Sequence, residues 1–272
     1  MTKKPPAKDE SLSATISMVL KRVQDYEGER ATRLGKGFEK VTAPIGGALA
    51  AVVPDAWVLN ILHAADKAAE YTLPADKSPK SFDDIEACEA AALYVQGWAA
   101  GLNAASGGAT GFWGAAGAAA DIPATLTLAA CNVRATGAAF GFAGDSEDER
   151  AFRLMVLELA TRQAGDARRE TVTQLRAFAE LLNQPKVRVV VDQASNWVAE
   201  KIAERVARQL GVSLAGRKLG QVVPVVGGVV AASVNASFQT DVSRAARYAY
   251  SLRWLMRQKL LPGYSGEEVT KP

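Results

Sequence analysis

The sequence predicts an all-α protein, a multi-helix bundle with Gly/Ala-rich helical hairpins. Three observations carry this. Apolar residues recur at steps of three and four along most of the chain. Period-two alternation is nearly absent, the tract Val187–Val191 being the one strand-like rival. Gly and Ala make up 74 of the 272 residues and crowd into a few charge-free segments. With 49% apolar and 22% charged residues the chain has ample material for a core and is not wholly disordered. The glycines follow no three-residue period, which excludes a collagen-like chain.

Residues 1–10 are polar, contain Pro5 and Pro6, and read as disordered. A helix is expected from Ser11, with Ile16, Val19, Leu20 and Val23 on one stripe. Thr42–Pro54 is an uncharged Gly/Ala stretch, after which Asp55 caps a helix carrying Trp57, Val58, Ile61 and Leu62. Pro74 and Pro79 place a loop over Leu73–Ser81, and Asp83 or Asp84 starts the next helix. Ala90–Ala120 holds 31 residues without a charge. Asn103–Gly108 interrupts it as a turn, leaving two arms too short to cross a bilayer.

Asp121-Ile122-Pro123 reads as an N-cap with Pro in the first turn, so a helix should run from Ile122 to about Phe140. Gly141 and Gly144 end it, and the acids Asp145–Glu149 complement the dipole of a new helix start. Glu170–Leu182 is helical, and a long amphipathic helix follows from Val187 through Val198, Ile202 and Val206 to Leu210. A second hairpin is expected over Val222–Phe238, broken by Pro224 and the Gly227-Gly228 pair. A final helix should span Asp241 to about Leu260, with 262–272 a frayed tail. Residues 11–261 thus form a single all-α domain.

A net charge of +3 is too mild for a nucleic-acid binder. Cys88 and Cys131 sit in apolar helical surroundings and read as buried free thiols, a single disulfide being the alternative. The N-terminus has no apolar h-region, which points to a cytoplasmic location. No catalytic constellation, cofactor motif or metal motif is legible. His63, the one histidine, stands between Leu62 and Ala64, where a structural histidine and a general base are the two readings. The Gly107–Gly114 run has no neighbouring Lys for phosphate. Gly263-Tyr-Ser-Gly266 lacks the spacing of a nucleophile elbow.

Three further groups of residues are candidates for function. Gly107, Gly108, Gly111, Phe112, Trp113 and Gly114 in the first hairpin, with Pro224, Gly227 and Gly228 in the second, would form apolar tips able to enter lipid. Glycines four apart, as at Gly97/Gly101, Gly107/Gly111, Gly137/Gly141 and Gly216/Gly220, put small residues on one helix face, which suits close approach of helix backbones. A tightly packed soluble core is the rival explanation. Asp121, Thr125 and Asn132 share a helix face, Arg134 lies on another, and Asn235 or Arg134 would be partners for polar contacts between hairpins. For Asp121 the plain N-cap is the default reading and the polar contact the alternative. Arg244, Arg247, Tyr250, Trp254 and Arg257 share one side of the final helix, a combination suited to a headgroup interface or to a solvated face whose Trp packs on a neighbour.

Three stretches in register resemble the bacterial EcsC protein family. They are Gly107–Gly114 running through Asp121-Ile122-Pro123 to Arg134; Phe140-Gly141-Phe142 with Asp145–Leu157; and Val223–Asn235 followed by Asp241, Arg244, Arg247 and Arg253-Trp254-Leu255. Where that family often has a Tyr-Gly pair before the acidic run, this chain has Phe140-Gly141 and no hydroxyl. The resemblance covers most of the chain after about residue 40. It implies no catalytic residues, and a family named for a member encoded beside an ABC transport system. Together these observations predict a non-enzymatic protein on the inner face of the membrane. It would insert the hairpins Gly97–Ala120 and Val222–Val234 shallowly and engage lipid or a membrane transport complex. A soluble helical module binding an apolar small molecule or lipid between its helices is the alternative.

Overall fold

The computed structural model describes residues 8–28, 58, 60, 63–64, 77–111, 114–162, 165–183, 201–208 and 227–261, without the side chains of 8–11, 103–121 and 227–235. Among the described residues the chain is mostly helical, with short turns and loops at 77–84, 141–146 and 258–261, and contains no strand. The helices are α1 (Lys8–Gly28), α2 (Ile85–Gly111), α3 (Gly114–Ala139), α4 (Glu147–Thr161), α5 (Gly165–Leu182), α6 (201–208) and α7 (Gly227–Arg257). The N-terminal residues 1–7, the segments around Thr42–Pro54 and 187–200, the Gly216/Gly220 linker and the tail from 262 lie outside the description.

The central element is α7, which packs against α1, α2, α3, α4 and α5. From Phe238 to Met256 almost every residue is buried, whatever its polarity. A helix buried all round normally reads as apolar all round. Here Tyr250, Arg253 and Trp254 are buried because each has a specific partner, so the polar pattern imitates a surface face. The antiparallel register of α7 on α2 follows from two bonds: Arg247 donates to Glu89, and Trp254 Nε1 donates to the Phe82 carbonyl at 2.7 Å. On α3 it runs parallel, Ser243 opposite Asn132 and Tyr250 opposite Gly137.

Several boundaries differ from expectation, α1 starting at Lys8 rather than Ser11 and α5 at Gly165 rather than Glu170 among them. Asn103–Gly108 is no turn: α2 continues through it to Gly111, because its five Ala residues between 99 and 109 favour helix strongly enough to carry the glycines. Asp121 is no N-cap, since α3 begins seven residues earlier, at Gly114, with Pro123 inside the helix. The Ala run 115–120 nucleates that extra length, and Pro123 removes one backbone hydrogen bond without ending it. No helix starts at Asp241: Gly227 and Gly228 open α7, which then continues unbroken to Arg257, so the described part of the second hairpin belongs to the final helix.

Other ends obey local rules. The Asp84 side chain accepts the Glu86 and Ala87 backbone N–H groups at the start of α2. Ser146 accepts the Glu149 N–H at 3.3 Å and caps α4, whose first turn carries Glu147, Asp148 and Glu149 as the acidic run predicts. At the end of α3, Phe142 N–H donates to the Gly137 carbonyl and Gly141 N–H to that of Ala138, with Gly141 at φ +81°. This is a Schellman closure, and its left-handed position is where glycine costs least. Cys88 and Cys131 are buried free thiols, and burial pushes the Cys88 thiol up to about 11.

Candidate functional site

The Schellman turn delivers Phe140, Gly141 and Phe142 to one end of α7, where the motif residues that are far apart in sequence meet. Arg253 donates from both terminal nitrogens to Glu149, at 2.7 Å each, with the pair enclosed in the core. Its guanidinium carbon lies 4.2 Å from the Phe142 ring centre and 4.7 Å from that of Phe152. Arg257 stacks over the other aspect of Phe142 at 4.8 Å and donates to the Phe82 and Phe140 carbonyls. Tyr250 packs between Phe142 and Phe152. A desolvated cation held by one carboxylate and two aromatic faces is a structural latch between α4 and α7, with no nucleophile in it.

A second buried group joins α3 to α7. Asn132 donates from Nδ2 to Ser243 Oγ at 2.8 Å and to Gln239 Oε1 at 3.2 Å. Gln239 in turn donates to the Thr125 carbonyl at 3.1 Å, and Thr136 donates to Asn132 Oδ1. Thr125 and Asn132 are thus brought together as their shared face predicts. Their partners are Gln239 and Ser243, one and two turns beyond Asn235. The Thr125 hydroxyl is buried with no hydrogen-bond partner among the described residues. Arg134 faces elsewhere and pairs with Asp145. Asp121 and Asn235 are helical, and their side chains lie outside the description.

Around Glu89 a third group links α1, α2 and α7. Both Arg22 terminal nitrogens and Arg247 Nη2 donate to this single buried carboxylate, as does the Ser251 hydroxyl at 3.0 Å. Burial pushes the Glu89 carboxyl up, but the Arg22 hydrogen bond and charge, with those of Arg247, outweigh it and hold it below the ordinary range. Arg22 and Arg247 open onto a cleft of about 300 Å³ between α1 and α7, which Lys21, Asp25, Arg244, Tyr26 and Tyr248 also line. The two tyrosines stack at 4.6 Å, and Tyr248 donates to Glu27. The basic residues of the final helix therefore do not form one headgroup face. Tyr250 and Trp254 are buried, Arg247 is bound to Glu89, and Arg257 stands at the opposite end with Phe82. Sequence periodicity alone could not separate them, because the buried side of α7 includes its arginines.

A family model for the EcsC protein family matches residues 17–255. The chain belongs to the EcsC protein family. Neither the curated proteins nor the solved structures gave a match. In this EcsC-family chain the matched span runs from α1 to the last turn of α7, so it takes in all three buried groups.

The EcsC-family hairpin residues fall at one end of the bundle. Gly107, Gly108 and Gly111 are in the last turns of α2, Gly114 opens α3, and Gly227 and Gly228 open α7. Phe112, Trp113 and Pro224 lie outside the description. The Gly97/Gly101 pair does not mediate close helix approach: both are exposed, and a Cβ at either would meet nothing within 4 Å. Gly137 instead makes room for a side chain, since a Cβ there would lie 2.6 Å from Cζ of the Tyr250 ring. His63 is exposed and makes no hydrogen bond among the described residues. Glu89, Arg22, Glu149, Gln239 and Ser243 were not singled out by the sequence. A lone acid such as Glu89, set between Cys88 and a long uncharged run, is the signal that could have found the first.

Proposed function

We propose that this EcsC-family protein associates peripherally with a membrane through the uncharged end of its α2–α3–α7 unit. The observation that carries the reading is the segregation of charge along these three helices. The last charged residue of α2 is Glu89, and 90–111 carry none; α7 carries none before Asp241, and α3 none before Asp121. The register set by Arg247 on Glu89 and Ser243 on Asn132, continued at 1.5 Å per residue, brings Gly227 level with Gly111 and Gly114. Three charge-free helix ends therefore share one pole of the bundle.

Along α2 the same zone presents Leu93, Tyr94 and Leu102, which are 50%, 44% and 47% exposed, with the bare backbone of Gly97 and Gly101 between them. Apolar residues grouped in this way suit an interface with lipid. No described helix is long and apolar enough to cross a membrane, which fits shallow entry of a helical end rather than a span. The ion pairs Arg22–Glu89 and Arg253–Glu149 lie toward the opposite ends of α2 and α7.

Co-sedimentation of the full chain with liposomes, with and without anionic lipid, tests the reading. Pelleting with vesicles is the expected result, and Leu93→Gln with Leu102→Gln should reduce it while leaving the far-UV spectrum unchanged. A protein that stays in the supernatant under both conditions contradicts it.

A further inference from the structure

The cleft between α1 and α7 is not used by the reading above. Lys21, Arg22, Arg244 and Arg247 line it, against the single acid Asp25. Three more acids lie behind: Glu89; Asp241, whose charge reaches Tyr26; and Glu27, which accepts from Tyr248 and pairs with Arg176. The walls of the cleft themselves carry four cations against one anion. A surplus of this kind at a concave site attracts an anion.

The arginines also have donor capacity to spare. Arg22 and Arg247 together bring ten N–H groups to the one Glu89 carboxylate, Ser251 and Gln96. The Nε of each is buried with no hydrogen-bond partner among the described residues, so the terminal nitrogens are the donors that a ligand in the cleft can reach. Glu89 holds both guanidiniums in place from below, so their orientation is fixed before any ligand enters. Lys21 stands at the exposed rim, with no ion pair among the described residues. The stacked rings of Tyr26 and Tyr248 close the wall and give the remainder of a ligand an apolar surface.

We propose that this cleft binds a phosphate monoester through Arg22, Arg247, Arg244 and Lys21. Arginine forks match tetrahedral oxyanions in geometry as well as charge, and a dianion uses the surplus better than a singly charged diester does. A volume of about 300 Å³ admits the phosphate with part of the group that carries it. The ligand is either a soluble phosphate compound or a lipid headgroup. Arg244 and Arg247 follow directly on the charge-free stretch 227–240, which would set the cleft at headgroup depth. The inference does not rest on membrane association, since the cleft is complete without it.

The test is titration calorimetry of the full chain with inorganic phosphate, beside flotation with two vesicle types. One is phosphatidylcholine carrying phosphatidic acid; the other carries phosphatidylserine at matched charge. Binding of inorganic phosphate with Kd of about 1 mM or tighter, or a preference for phosphatidic acid vesicles, is expected. The first result assigns a soluble ligand and the second, alone, a headgroup. Lys21→Gln with Arg244→Gln should weaken the observed binding roughly tenfold or more at unchanged melting temperature. Asp25→Asn should tighten it, a change that misfolding cannot mimic. No binding in either format, or binding indifferent to all three substitutions, overturns the proposal. Loss of vesicle binding with retained phosphate binding would count against the membrane reading alone.

Discussion

Arg253 of α7 and Glu149 of α4 form a two-pronged ion pair, their side chains only 3% and 7% exposed, closed on both faces by Phe142 and Phe152. The arrangement explains why the Phe-Gly-Phe turn, the acidic helix start and the Arg-Trp pair occur together in one chain. Each supplies one wall of the same junction. They are fold determinants.

Removing one partner from this pair should therefore be far worse than removing both. Arg253→Leu leaves the Glu149 carboxylate buried and unpaired, a loss of about 3–5 kcal/mol. Adding Glu149→Met should recover most of that, because a buried pair replaced by apolar side chains of similar volume is often neutral. Urea unfolding of the single and double variants reads the difference directly.

Glycines that look alike in sequence should respond with opposite signs. Gly97→Ala introduces a methyl into open space within a helix and should stabilise by roughly 0.5–1 kcal/mol. Gly137→Ala drives a methyl into the buried Tyr250 ring, held in turn by Phe142 and Phe152, and should cost about 1–3 kcal/mol. Thermal melts of the two variants, measured side by side, check the sign.

Acid should unfold the protein partly through Glu89. Its carboxyl is held below the ordinary value of about 4.3, so its pairing with Arg22 and Arg247 contributes fully above that pH. The contribution is lost as pH falls through the depressed folded value. Glu89→Gln should lower stability near neutral pH by roughly 2–3 kcal/mol and flatten the stability profile below about pH 4.3. Denaturant midpoints across that window test both effects.

The helical class, the cap of α4, the turn after α3 and the Thr125–Asn132 face were all legible in the sequence. Each depends on neighbours within a few residues. The limits of α2, α3 and α7 were not, because Asn103–Gly108 and Asp121–Pro123 carry real boundary signals that the flanking alanines override, and α7 is already under way where Asp241 was expected to start it. The split face assigned to the last helix failed for a different reason. Periodicity sorts residues by polarity, and α7 buries Arg253 on a partner in α4 104 positions away and Trp254 on a partner in the 77–84 loop 172 positions away, with Tyr250 between Phe142 and Phe152. Long-range pairing of that kind leaves no local trace.

Position-resolved fluorescence tests the central claim, that the uncharged pole of α2, α3 and α7 enters lipid. An environment-sensitive dye would be attached through Ser106→Cys in α2 or, as a control, through Arg169→Cys on exposed α5. The native thiols are buried, and that of Cys88 is pushed up to about 11, so they compete poorly for the dye. On adding anionic vesicles, emission from position 106 should shift to the blue and brighten while that from 169 stays as in buffer. An unchanged signal at 106, or an equal response at 169, would contradict the account.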